Sequence, residues 1–232
     1  MSTALDFKNP SLVVVGHWNS AILNEAGWVA KHLLGVAEGE EVELEMVVAG
    51  NQLGPGHIKP EKHIWLFEKM GFSSSAQRIE FYTRDISDLK PLYDVVAKLA
   101  DLLPHTPVRA VGINFDFKVS DEVSDTVPLL STDEVFDGFG TAVNMERSDS
   151  IAVEKASLLE LEGSGRLECS LNLTRVSDFE TVEIKFNYHS NITNMAMLKP
   201  FVKSDPIAHW HAHTQKVLDE VYNITEAETS YF

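Results

Sequence analysis

Residues 182–188 read Val-Glu-Ile-Lys-Phe-Asn-Tyr, and this strict alternation decides the fold class. A period of two puts Val182, Ile184, Phe186 and Tyr188 on one face of a strand and Glu183, Lys185 and Asn187 on the other, so one face packs and the other meets water. The pattern recurs. Leu167, Cys169, Leu171 and Leu173 alternate with Glu168, Ser170 and Asn172; Ile113, Phe115, Phe117 and Val119 with Asn114, Asp116 and Lys118; Val42, Leu44, Met46 and Val48 with Glu41, Glu43 and Glu45. A parallel sheet covered on both faces would show continuous apolar runs, and here only Leu12 to Val15 reads that way. The expected fold class is α+β, a mostly antiparallel sheet with helices on one face.

Where the period changes to 3.6, helices are expected. Leu89, Leu92, Tyr93, Val96, Leu99, Ala100 and Leu103 form one stripe, with Ser87 or Asp88 as cap and Pro104 as stop. Ile207, Trp210, Thr214, Val217, Leu218 and Val221 form another, with Asp205 as N-cap and Pro206 at the first helical position. An earlier helix is expected from Asn24 to Gly35, and Ser131 with Glu134 forms a capping box for a short helix to about Phe139. The serine run Ser73 to Ser75 and the glycine- and proline-rich stretch from Gly50 to Lys62 read as mobile loops.

Residues 11–104 give the order strand, helix, three strands, helix, and residues 107–223 give strand, short helix, three strands, helix. The expectation is two similar α+β halves, 1–104 and 105–232, sharing one continuous sheet, the second carrying an acidic insertion at 120–150. This order is similar to the duplicated saddle of TATA-binding-protein-like folds, a likeness of element order that carries no function.

Composition narrows the function classes. The 232 residues hold 19 Lys and Arg against 35 Asp and Glu, a net charge of -16. Such a surface repels phosphate backbones, so direct nucleic-acid binding is not expected. No run approaches the roughly 18 apolar residues of a membrane helix, and the start MSTALDFKNP lacks the features of a signal peptide, which points to the cytoplasm. The single cysteine, Cys169, excludes an internal disulfide and zinc sites built on CxxC pairs, and its inward position marks it as a core thiol.

No catalytic motif stands out, so the catalytic residues are unknown from sequence and no cofactor is expected. His209 and His213, four apart on one helix, could share a metal, but a zincin needs HExxH and a third ligand. His17 and Trp18 follow the apolar strand at its C-terminal end, a common place for ligand contacts, and a loop bearing His57 and His63 could fold over them; with Asp116 they form the histidine-based alternative. Gly50-Asn-Gln-Leu-Gly-Pro-Gly lacks the GK[ST] of a phosphate loop, and Gly163-Ser164-Gly165 reads as a hairpin turn instead of a nucleophile elbow. The outward face collects Glu41, Glu43, Glu45, Glu80, Asp116, Glu168 and Glu183 with Arg78, Lys118, Lys185, Tyr82 and His189. It is either a solvated face or a binding face suited to a basic partner.

Leu103-Pro104-His105-Thr106-Pro107-Val108, Gly112-Ile113-Asn114-Phe115 and Gly16-His17-Trp18-Asn19, with the strand-rich second half ending in His213 to Thr225, resemble uncharacterised, sporadically distributed bacterial and prophage proteins. The resemblance implies a bacterial or phage cytoplasmic origin and supplies no catalytic residue.

The leading expectation is therefore a non-catalytic protein-binding or assembly component, with a protein partner of basic character and a homodimer through an open sheet edge. The alternatives are a small histidine- or metal-dependent hydrolase, and an acidic inhibitor of a nucleic-acid-processing protein acting through Glu41, Glu43 and Glu45.

Overall fold

The computed structural model describes residues 5–36, 47–52, 58–66, 70–83, 86–119, 143–147, 150–153, 158–161, 165–177, 182–222 and 229–231. It is an α+β protein of two compact units. Unit I comprises Met1–Pro10, Gly112–Asn191 and Ser204–Phe232, and unit II comprises Ser11–Val111 and Ile192–Lys203. The division falls within two long strands, so each unit draws on chain from both sides of residue 104.

Unit II contains the second half of β1 (Leu5–Gly16), then β2 (Val47–Gln52), β3 (Ile58–Leu66), β4 (Met70–Ser74) and β5 (Arg78–Thr83), in the spatial order β2-β3-β4-β5-β1. The described registers are antiparallel throughout. Leu12 and Val14, which read as a continuous apolar run, are fully buried, as are Phe72, Ile79 and Phe81. The serine run is a correction to the expected mobile loop: Ser73 and Ser74 belong to β4 and are buried, and Ser74 Oγ donates to Asn24 Oδ1 at 3.2 Å. Ser74 satisfies its hydroxyl internally, which composition alone does not reveal.

The helix expected from Asn24 to Gly35 is a broken one. Asn19 caps α1 (Ser20–Leu23) by accepting from the Ala21 amide, and Glu25 caps α2 (Ala26–Trp28) by accepting from the Gly27 and Trp28 amides. The chain then widens into a π-helical turn, Val29–Leu34, and stops at Gly35, whose φ of 76° is the left-handed conformation glycine adopts at little cost. Helix α3 (Lys90–Leu102) buries Leu92, Val95, Val96, Leu99 and Ala100. Its N-cap is Leu89, with no side-chain cap bond, in place of Ser87 or Asp88; Pro91 in the first turn presets the backbone instead. A 3₁₀ turn, Met195–Met197, leads into α4 (Leu198–Lys203), which packs on α3.

Unit I contains most of β6 (Val108–Val119), then β7 (Val143–Arg147), β8 (Ser150–Val153), β11 (Ser170–Ser177) and β12 (Val182–Asn191), in the order β6-β12-β11-β8-β7. β9 (Leu158–Leu161) and β10 (Gly165–Glu168) form a separate antiparallel pair. The alternating stretch 167–173 is thus two strands and not one, parted at Cys169. β13 (Thr229–Tyr231) runs parallel to the first residues of β1. Helix α5 (Pro206–Tyr222) buries Ile207, Trp210, Thr214, Val217 and Leu218 of the expected stripe, whose last member, Val221, has its side chain outside the described residues. Asp205 precedes it with φ 50°, and its carbonyl accepts from the His209 amide at 3.0 Å.

The core of unit I is aromatic. Phe117 meets Phe186 edge-on at 5.8 Å between ring centroids, Phe115 meets Tyr188 edge-on at 5.9 Å, and Trp210 stacks on Tyr188 at 4.7 Å. All five are buried, and each large apolar side chain removed from water contributes roughly 1.5–3 kcal/mol. The expected short helix at 131–139, residues 37–46 and most of the acidic insertion lie outside the described residues. Among the described residues, no helix is long and apolar enough to cross a membrane.

Candidate functional site

Strand β12 divides unit I into two chemical environments. Ile184, Phe186, Tyr188 and Ser190 are buried on one side, while Glu183, Lys185, Asn187 and His189 are half-buried on the other and Asn191 is exposed. Register with β11 sets Ser170 opposite His189, Asn172 opposite Asn187 and Thr174 opposite Lys185. On the other flank, Asn187 Nδ2 donates to Asn114 Oδ1 of β6. Three asparagines, Asn114, Asn187 and Asn172, therefore lie in one row across three neighbouring strands.

One row further along β12, the polar face dips. Glu168, Ser170, His189 and Asn191 line a recess of about 340 Å³. Gly112 of β6 packs beside His189. A Cβ at this glycine would lie 3.1 Å from the Tyr188 carbonyl oxygen and 3.6 Å from His189 Cβ, so β6 presents bare backbone beside the imidazole. His189 Nδ1 is buried and has no hydrogen-bond partner among the described residues. Burial lowers the pKa of this histidine, so its ring is neutral near pH 7. One row in the other direction, Lys185 Nζ lies 2.6 Å from Glu183 Oε2. The bond to Glu183 raises the lysine pKa, burial opposes it, and the charges of Glu183 and Asp116 add to the rise.

The opposite side of β12 holds a closed polar group. The Tyr188 hydroxyl is 2.8 Å from His213 Nδ1 and 2.8 Å from Thr214 Oγ1, both on α5. Burial, with the positive charges of Lys216 and His209, lowers the His213 pKa to about 4. Burial pushes the Tyr188 hydroxyl well above the usual phenol range, with the Thr214 bond opposing it. This group ties helix to sheet through neutral hydrogen bonds.

No protein-family model matches the chain, and no curated protein matches its sequence.

The residues singled out in the sequence have the following places. His17 is exposed and its amide donates to the Pro107 carbonyl at 2.8 Å, while Trp18 is buried with its indole N–H donating to the Val14 carbonyl at 3.3 Å, a packing role. His63 lies in β3 opposite Ser74, with its side chain outside the described residues, as are His57, Glu41, Glu43 and Glu45 altogether. Asp116 is half-buried on the polar face of β6 near Lys185. His209 is exposed on α5 with its ring 4.5 Å from that of Trp210, and His213 is turned to Tyr188. Among the described residues no three His, Cys, Asp or Glu side chains gather as a metal would need. Cys169 is buried, and burial pushes its thiol up to about 12, with a bond to Ser190 opposing. Sequence reading put Glu168 and His189 on the outward face but did not join them. The missing signal was register: which residue of β11 and β6 stands beside His189.

Proposed function

We propose that this chain is a non-catalytic binding protein that docks a protein partner on the polar face of unit I. The observation that carries this reading is the row Asn114, Asn187 and Asn172. Carboxamides carry both donors and acceptors, so such a row can exchange hydrogen bonds with a polypeptide laid across the strands. Its neighbours support recognition better than chemistry. The cysteine thiol is protonated and buried, and His213 is neutral with one ring nitrogen engaged by Tyr188, which leaves neither set up as a nucleophile or a base. The net charge of -16 favours a basic partner and speeds its encounter.

The test is affinity capture from the native host with the wild-type chain and with the double variant Asn172→Ala and Asn187→Ala, alongside light scattering of the purified protein. The reading expects a stoichiometric partner that the double variant loses while its circular dichroism and melting remain those of the wild type. A partner retained by the double variant would place recognition elsewhere. A second copy of this chain as the partner would register as a dimer mass that the same variant halves.

A further inference from the structure

The recess beside His189 has the chemistry of a single-residue socket. Its volume, about 340 Å³, is at the small end of ligand pockets, which run from roughly 300 to 1,000 Å³. The only charged side chain among its lining residues is Glu168, an acceptor, so an anion would meet repulsion with no cation to offset it. Ser170 and Asn191 bring oxygen acceptors to the same lining, and His189 brings a neutral imidazole.

Gly112 lets β6 run close beside His189. No left-handed backbone angle requires glycine there, yet any side chain would rise against the Tyr188 carbonyl and the His189 ring stem. A planar cation with several donors suits acceptors spread around a socket better than the compact ammonium of lysine. We propose that the recess receives an arginine side chain of a basic polypeptide, with Glu168 supplying the opposite charge and Ser170, His189 and Asn191 accepting guanidinium hydrogen bonds. This rests on the reading of the polar face as a protein-docking surface and names the chemistry of one contact on it.

The probe is the peptide acetyl-Gly-Arg-Gly-amide, titrated into the full chain with ¹⁵N-labelled histidine and followed by NMR; the His189 signals are assigned by their loss in His189→Gln. The expected result is a saturable shift of the His189 ring nitrogens that the citrulline peptide does not produce and that Glu168→Gln weakens at least about tenfold. Glu168 is exposed, so this variant leaves the core untouched. Silence at His189, an equal response to citrulline, or undiminished binding by Glu168→Gln overturns the proposal. If the double asparagine variant loses the captured partner while the arginine titration is silent, the socket falls and the docking face stands. If arginine binds as expected while capture ignores the asparagines, the socket stands and the docking face falls.

Discussion

The Tyr188 hydroxyl lies 2.8 Å from His213 Nδ1, joining β12 to α5 through a histidine that burial keeps neutral. The ordinary histidine pKa of 6.5 falls to about 4 here, so between these values the unfolded chain binds a proton that the folded chain does not. Stability is therefore full above about pH 6.5 and drains away as the pH falls toward 4. The loss at this one site is roughly 2–3 kcal/mol. Urea denaturation at pH 7 and pH 4.5 measures it. The wild type should lose more stability over this interval than His213→Gln, which has no proton to take up; equal losses would mean that His213 does not titrate between the two states.

Trp210 covers the Tyr188 ring at 4.7 Å with an angle of 17° between planes, and only 2% of the tryptophan is exposed. Replacing it with alanine removes the largest side chain of α5 from the core and should cost about 3–5 kcal/mol. Trp210→Phe keeps the stack and should cost clearly less. Chemical denaturation of both variants checks the order, and near-equal costs would show that the site collapses around whatever replaces the indole.

Much of this architecture is legible in the chain because burial on one face writes a period into the sequence. The alternation at 182–188 and 113–119 and the 3.6-residue stripes of α3 and α5 correspond to β12, β6 and the two long helices. The broken helix between Ser20 and Gly35 is harder to read, since its breaks come from Asn19 and Glu25 capping separate short turns and not from a proline or an interior glycine run. Ser73 and Ser74 misread as loop because composition says nothing of the Asn24 side chain 50 residues away that accepts from Ser74. The recess was less legible still. Ser170 is 19 residues from His189 in sequence, and only the pairing of β11 with β12 sets them opposite one another.

Gly71 and Tyr82 stand opposite one another on β4 and β5. A Cβ at Gly71 would lie 2.4 Å from the tyrosine ring, so the ring rests on the glycine and shields the β4 backbone. Gly71→Ala should therefore destabilise by about 1–3 kcal/mol through overpacking. The tyrosine is the offending neighbour, and Tyr82→Ala removes it. In a double-mutant cycle the alanine at 71 should cost little or nothing in the Tyr82→Ala background. An unchanged cost there would locate the strain in the backbone of β4 instead of under the ring.

Cys169 sits at the junction of β10 and β11 with 2% of its surface exposed, its Sγ–H 3.8 Å from the Ser170 carbonyl, and its pKa raised from 9.0 to about 12 by burial. The thiolate is the reactive form, and at pH 8 the folded chain holds almost none of it. Two consequences follow from the same shift. Ellman's reagent should leave the native protein unmodified at pH 8 and titrate one thiol per chain once urea unfolds it, with the rate across the transition tracking the unfolded fraction. The sign for stability is the reverse of that at His213: above pH 9 the unfolded chain releases the thiol proton while the folded chain retains it, so folding weakens as the pH rises from 9 toward 12, and Cys169→Ala should remove that slope. A native thiol that reacts at pH 8 at the rate of a free one would show that the strand junction opens to solvent, and the alkaline slope would then be absent from the wild type as well.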